Sequence, residues 1–416
     1  MNLALQPTMK IALLSEKYTP DIGGLAISTE RLAYLLASAG HGVRLFAPTS
    51  NLLPSEQRTL TSNGVSVTRF GAHKRVDDTL VDWFELIVAE HKREPFDVLQ
   101  GYFLPQAGFV ATYAGRYLNI PSVVSIRGND IERAAFDPSK FSHGMYALQH
   151  ASAVTTNASE LMKKAKAFVD RDIVLIPNGI DTEHFKPMEK NLGLAEQLGM
   201  PTPWTEVHGY SYKTPSGFKD GSPFFVNQPD VSTSGVPVIG FVGELREKKG
   251  LKTLLSAYAQ VNKKQPTTLL IVGEIRPGED KQTFEEFRVA NPDLQIIVTG
   301  YISHSDLPVY YSLMDIFVHP SLRDGMPNAI LEAMACVKSV IATAVGGTKD
   351  ILEDGKNGVI VNVNDAGMLA EKILELLDDA EKRESLGKNA RKLIVNRFTL
   401  EKELEANLEV YRKLGI

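Results

Sequence analysis

Apolar residues in this chain fall into short runs, separated by longer stretches in which they recur every three to four positions. KIALLS (10–15), GVRLFAP (42–48), VSVTRF (65–70), FDVLQG (96–101), SVVSIRG (122–128), AVTTN (153–157) and IVLIPNG (173–179) are β-branched or aliphatic runs of strand length. The stretches between them carry helical spacing. From Leu25 to Ala39, for example, Leu32, Leu35, Leu36 and Ala39 share one stripe that ends at Gly40. A second series follows: VIGFVG (238–243), TLLIVG (268–273), QIIVTG (295–300), DIFVHPS (315–321), SVIATA (339–344) and GVIVNV (358–363). Near-continuous apolar strands alternating with helices predict parallel sheets built from βαβ units, so the pattern predicts an α/β chain with two Rossmann-like, doubly wound halves.

The expected division is 1–185 for the first half, 186–236 for a linker, 237–395 for the second half and 396–416 for a closing helix placed to pack back on the first. The tail from Asp365 is helical, with a break expected near Leu386–Gly387 and a last amphipathic stretch from Leu400 to Leu414. Residues 199–236 show neither period and are rich in Gly, Pro, Ser and aromatics, among them Trp204, Tyr210, Tyr212, Phe218, Phe224 and Phe225. A loop this long is either a lid or an insertion beside the linker. The segment 73–93 reads as an amphipathic helix with basic ends; Trp83, Phe84 and Ile87 on its apolar face serve either as core or as a peripheral membrane contact.

With 416 residues, the chain exceeds the ~250–300 at which a single core stops growing. A net charge of -5 gives no general attraction to nucleic acid, so any anion site must be local. Cys336 is the only cysteine, which rules out an internal disulfide and a cysteine-built zinc site. Met1–Thr8 lacks the features of a signal peptide and no apolar stretch reaches ~18 residues, so the expected location is the cytoplasm, with the inner membrane surface as an option.

In doubly wound sheets ligands bind beyond the carboxyl ends of the strands, which directs attention to a few loops. TPDIGG (19–24) leads from the first strand into a helix, and Gly23 and Gly24 let the backbone approach a ligand at that helix N-terminus. GELREKKGL (243–251) follows a buried strand with Gly243 and places Arg246, Lys248 and Lys249 around a turn, a cation set suited to a diphosphate. HPSLRDGMPNAILEAMA (319–335) carries Asp324, Gly325, Met326, Pro327 and Asn328 ahead of a helix with Glu332. That turn offers unpaired N–H groups to an anion, and the two carboxylates are spaced to flank one ligand. AVGGTKDIL (344–352) repeats the device with Gly346 and Gly347. In IPNGID (176–181), Asn178 and Gly179 suit positive φ and Asp181 suits a cap, a mainly structural turn.

In order and spacing, PDIGG, GHGV (40–43), IPNGID, GELREKKG, PSLRDGMPNAILEAMA and AVGGTKDILEDGKNG resemble glycosyltransferase family 4, the retaining enzymes of the GT-B fold. The resemblance spans nearly the whole chain. It implies transfer of a sugar from a UDP-, GDP- or ADP-sugar to a hydroxyl acceptor, which could be a saccharide, a polysaccharide or a lipid-linked glycan, with no required metal. It further implies that Arg246 and Lys249 bind the diphosphate and stabilise the leaving group. Asp324 would take the place of the first glutamate of the E-x7-E element, near the transferred sugar, and Glu332 would bind the ribose. Gly325 to Asn328 would contact sugar and phosphates, and Gly23–Gly24 would border donor and acceptor. Four departures stand out. Asp324 is one methylene shorter than the usual glutamate. IRGND (126–130) puts Arg127 where many relatives carry a histidine, so Arg127 is assigned to sugar or phosphate contact. Glu244 replaces an arginine after Gly243, and IVGEIRPGED (271–280) lacks the usual glycine-rich turn. A sugar-nucleotide epimerase of similar architecture and a non-catalytic sugar-nucleotide-binding homologue are the alternatives. No G-x-G-x-x-G follows the first strand, which argues against a dehydrogenase.

Overall fold

The computed structural model describes residues 8–200 and 236–416, except for Ile22, Asn129 and the side chain of Arg133. Residues 201–235, most of the aromatic-rich segment, lie outside the described residues. The first half contains β1 (Lys10–Ser15), α1 (Gly24–Ser38), β2 (Gly42–Thr49), β3 (Gln57–Ser62), β4 (Val65–Gly71), α2 (Val76–Arg93) and β5 (Val98–Tyr102). It continues with α3 (Phe109–Leu118), β6 (Ser122–Ile126), α4 (Asp130–Phe136), α5 (Pro138–His150), β7 (Ala153–Thr156), α6 (Ser159–Lys166) and β8 (Val174–Leu175). These strands form one sheet in the order β3-β4-β2-β1-β5-β6-β7-β8, parallel except for β3. After α7 (Leu192–Gln197) come β9 (Val238–Val242), α8 (Leu251–Asn262), β10 (Thr268–Val272), α9 (Glu279–Ala290), β11 (Ile296–Val298), α10 (Leu307–Leu313) and β12 (Ile316–His319). Then follow α11 (Asn328–Ala335), β13 (Ser339–Thr343), α12 (Thr348–Ile351), β14 (Val359–Val361), α13 (Ala366–Asp378), α14 (Ala380–Arg397) and α15 (Leu400–Lys413). The second sheet is wholly parallel, in the order β11-β10-β9-β12-β13-β14.

Alternation along the central strands supplies two faces to each sheet. Ile11 and Leu13 of β1 join one core with Leu45, Val67 and Tyr102, while Ala12 and Leu14 join the other with Phe46, Trp83 and Ile87. Trp83 and Ile87 are fully buried and belong to the core, while Phe84 is half-buried against the rings of Tyr113 and Tyr117. Leu408, Val410 and Tyr411 of α15 belong to the first of these cores, although the chain reaches them only after completing the second sheet. Among the described residues no helix is long and apolar enough to cross a membrane.

Three local expectations are corrected. The helix does not break at Leu386–Gly387; α14 runs through it, and the break comes at Asp379, whose side chain caps α14. Gly387 is small for another reason, since a Cβ there would lie 2.3 Å from the Val337 carbonyl oxygen. Asn178 and Gly179 do not take positive φ. Gly179 is needed because an added Cβ would meet the Thr399 carbonyl at 2.5 Å, where the two segments crossing between the halves run side by side. Finally, β3 went unseen: QRTLTS is exposed at every position and offers no apolar alternation, its pairing with β4 being reinforced by a Thr59–Thr68 hydroxyl contact of 2.9 Å.

Candidate functional site

Strand order determines where the loops meet. In the first sheet the winding reverses between β1 and β5, and in the second between β9 and β12, so the loops after these strands flank two crevices. The loop after β9 carries Gly243, at φ 127°, and then Glu244 and Arg246, whose side chains pair at 3.1 Å. Arg246 keeps its Nε buried without an acceptor. Lys249 reaches across to the loop after β12 and pairs with Asp324 Oδ2. This approach depends on Gly250, where a Cβ would strike the Pro320 carbonyl at 2.1 Å.

Asp324 is held on both oxygens. His319 Nε2 lies 3.0 Å from Oδ2, and the Gly325 N–H donates to Oδ1 at 3.0 Å. Burial alone would push this carboxyl up, but the Lys249 ammonium and His319 outweigh it and hold it well below the usual carboxylate range. His319, stacked between Phe241 and Phe317, is itself pushed down by burial, partly offset by Asp324. Gly346 closes the loop from behind at φ 53°, with room for no Cβ because the Asp324 carbonyl would lie 2.0 Å away. Pro327 then opens α11 with no side chain capping it, so the first N–H groups of that helix point out of the turn.

Glu332, on the next turn of α11, is 3 % exposed and faces a different set of residues. Oε1 lies 2.9 Å from His304 Nε2, and Oε2 accepts from the Tyr311 hydroxyl at 2.8 Å. Burial would lower the His304 imidazole, but Glu332 more than compensates and raises it above its ordinary value.

From the first half, Gly23 (φ 128°) and Gly24 open α1 with nothing within 4 Å of where a Cβ would stand, so the backbone there is accessible. The preceding turn is fastened by Arg69, which donates to the Tyr18 carbonyl at 2.9 Å and to Asp21 at 3.1 Å. Beyond β6, Asp130 accepts from the N–H groups of Leu104, Arg127 and Gly128, and burial pushes its carboxyl up to about 6 despite them. The Arg127 guanidinium turns inward: it donates to Asn178 Oδ1 at 3.1 Å and lies 4.2 Å from the centre of the Tyr102 ring and 3.7 Å from Glu403 of α15. Asn178 in turn donates to Asn328 Oδ1 at 2.7 Å, across the two halves.

A second crossing borders a cavity of about 170 Å³ lined by Gly128, Glu132 and Glu160 from the first half and Asp324, Gly346 and Lys349 from the second. Here Asp350 accepts from the N–H and hydroxyl of Ser159 at the start of α6, while Glu160 accepts from Gly346 N–H at 3.1 Å and Lys349 at 3.4 Å. Each helix start thus receives its carboxylate from the opposite half.

The structure therefore brings together Lys249, Asp324 and Gly325, and links Asn328 to Arg127 through Asn178. Arg246 meets Glu244 instead, and Glu332 meets His304 and Tyr311. Sequence reasoning missed His319, His304, Tyr311, Arg31, Glu160, Asp350 and Glu403, and read Asn178 as a turn residue. Among the described residues, no group of three or more His, Cys, Asp or Glu side chains is placed to hold a metal ion.

Two family models match the chain: one described as glycosyltransferase family 4 over residues 22–184, the other as glycosyl transferases group 1 over residues 227–393. A capsular polysaccharide biosynthesis glycosyltransferase of Staphylococcus aureus is 27% identical over 348 residues, covering 79% of this chain and 80% of that protein. Sucrose-phosphate synthase from Thermosynechococcus elongatus superposes with a TM-score of 0.78 at 23% identity, over 98% of this chain and 99% of that one. HepE of Anabaena, solved with UDP-glucose, gives 0.73 at 18% identity, over 97% and 100%.

Proposed function

Since the chain belongs to glycosyltransferase family 4, has the GT-B fold and transfers a sugar from a nucleotide-sugar donor, we propose that its cleft performs this transfer with retention at the anomeric carbon. The donor diphosphate lies against Lys249 and the uncapped start of α11, and Arg246 joins them by exchanging Glu244 for the phosphates. Asp324 accepts from hydroxyls of the transferred sugar, and the backbone of Gly325 to Asn328 follows its outline. Glu332 takes the ribose hydroxyls, exchanging them for its present donors. Gly23 and Gly24 border donor and acceptor from the first half. Arg127 acts from beneath this surface, and Gly243 gives the diphosphate close access to the turn after β9.

The acceptor hydroxyl attacks from the face that the nucleoside diphosphate leaves, so the carbon–oxygen bond to phosphate breaks as the new glycosidic bond forms on the same side. The departing diphosphate takes up the electron pair and the hydroxyl proton. Stabilising that leaving group is the main catalytic task. The likeness to the Staphylococcus aureus capsular enzyme supports a saccharide or polysaccharide acceptor, free or lipid-linked, and the HepE complex supports a UDP-sugar among the three nucleotide classes. The transferase relatives favour transfer over epimerisation.

The observation that carries this reading is the meeting of Lys249 and Asp324 at the start of α11, beside the winding reversal of the second sheet. Thermal shift and donor hydrolysis with UDP-glucose, GDP-mannose and ADP-glucose test it, alongside Arg246→Ala and Glu332→Ala. One nucleotide class should stabilise the wild type and neither variant, and NMR should show the donor's anomeric configuration in the product. An absence of shift with all three would overturn the donor site, and an inverted product would overturn retention.

A further inference from the structure

Glu403 is a buried carboxylate at the first turn of α15, with a side chain that has no solvent exposure. It accepts from Arg31 of α1 through Nε at 2.8 Å and Nη2 at 3.3 Å, and from the N–H of Gly179 at 2.8 Å. Arg127 Nη2 stands 3.7 Å from its other side. Two guanidinium groups therefore share one carboxylate, at the point where the two segments joining the halves run together through Ile180 N–H and the Phe398 carbonyl, 2.8 Å apart. Without the carboxylate, the buried Arg127 would lack its counter-charge.

Arg127 is the link to the donor loop. Its side chain is 3 % exposed, its backbone is fastened by Asp130, and its Nη1 holds Asn178. Asn178 contacts both the Asn328 side chain and, at 3.5 Å, the Met326 carbonyl. Close packing reinforces this link, since a Cβ on Gly325 would meet the Arg127 carbonyl oxygen at 2.8 Å. Below Glu403, the same face of α15 continues with Asn407 and Tyr411, which engage Gln100 of β5. The carboxylate thus rests on a supported helix face.

We propose that Glu403 is a positioning residue for sugar transfer: through Arg127 and Asn178 it fixes the Met326–Asn328 start of α11 relative to the first half. The inference rests on the reading of that segment as the donor loop, so its test needs one measurement independent of donor chemistry. Hydrogen exchange of the whole chain, wild type against Glu403→Gln, supplies it. Exchange in 324–332 and 176–181 should rise about tenfold or more, while 346–352 stays as it was. On the nucleotide sugar that the wild type hydrolyses, kcat should fall about 10- to 100-fold with donor KM within about threefold, as expected for lost alignment rather than lost binding.

If a neutral amide between two guanidinium groups prevents folding, the pair Arg31→Gln with Glu403→Gln removes one charge of each sign and is measured in the same way. Faster exchange confined to α1 and α15, with 324–332 unchanged, would reduce Glu403 to structural glue and overturn the inference. A loosened 324–332 segment with full kcat would instead overturn the donor-loop reading.

Discussion

Asp324 shows how a short side chain fits a crowded anion loop: one oxygen takes the Gly325 N–H, while the other is shared by Lys249 and His319. Removing Lys249 leaves a mostly buried carboxylate without its cation. Lys249→Ala should therefore lower stability by about 3 kcal/mol in urea unfolding. It should also reduce donor turnover about 10²- to 10³-fold, the effect of losing ~2.7–4 kcal/mol of leaving-group stabilisation. Lys249→Met combined with Asp324→Asn should recover stability without recovering turnover. His304 is a case in which the sign of a pH effect can be worked out. Its folded pKa is raised above the ordinary value of 6.5, so its bond to Glu332 contributes fully below that pH and is lost as pH rises through the folded value. The melting-temperature difference between wild type and His304→Gln should accordingly be largest near pH 6 and shrink on the alkaline side. The spacing of Asp324 and Glu332 was legible in the sequence because both sit on one turn and helix. The partners of Glu332 were not, since His304 comes from a separate loop and only the packing of α10 on α11 joins them.

At the scale of elements, the apolar runs were readable because a parallel strand buried on both faces has few other forms. Glycines were harder, because a sequence shows that a side chain is missing without showing what fills the space. Gly387 looked like a helix break and is a contact point for the Val337 carbonyl; Gly179 looked like a turn and is a contact point for Thr399. Gly387→Ala separates the two interpretations. A glycine in mid-helix costs about 1 kcal/mol relative to alanine, so propensity alone favours the variant. The backbone clash should reverse that, with a net loss of about 1–3 kcal/mol in thermal or urea unfolding. A more stable variant would mean that the contact yields easily. The exposed strand β3 was missed for the opposite reason, its polar residues giving no period to follow.

Across the whole molecule, the joints between the halves include the Asn178–Asn328 link with Glu403 behind it and the reciprocal carboxylates of α6 and α12 beside the cavity. The second joint can be opened separately. Asp350→Ala removes the acceptor for the α6 start, a cap worth about 1 kcal/mol, and small-angle scattering should show a larger radius of gyration than wild type without nucleotide. An unchanged radius would mean that the remaining contacts, among them Glu160 and the Arg391 bonds to the Thr182 and Phe185 carbonyls, hold the halves without Asp350. None of these crossings was legible, because each pairs residues far apart in sequence that share no motif. Arg31 and Glu403 are the extreme, 372 positions apart, and their separation bears on how the protein is made. At about 5–20 residues per second, a ribosome needs roughly 20–75 s to travel from one to the other. For most of that interval, once Leu175 at the end of β8 has been added, the nascent first half has its strands but neither the carboxylate for Arg31 and Arg127 nor the Leu408 and Tyr411 side chains of its core. The cleft is therefore completed last, and a growing chain presents an open apolar face to chaperones before it has an assembled site to offer a substrate.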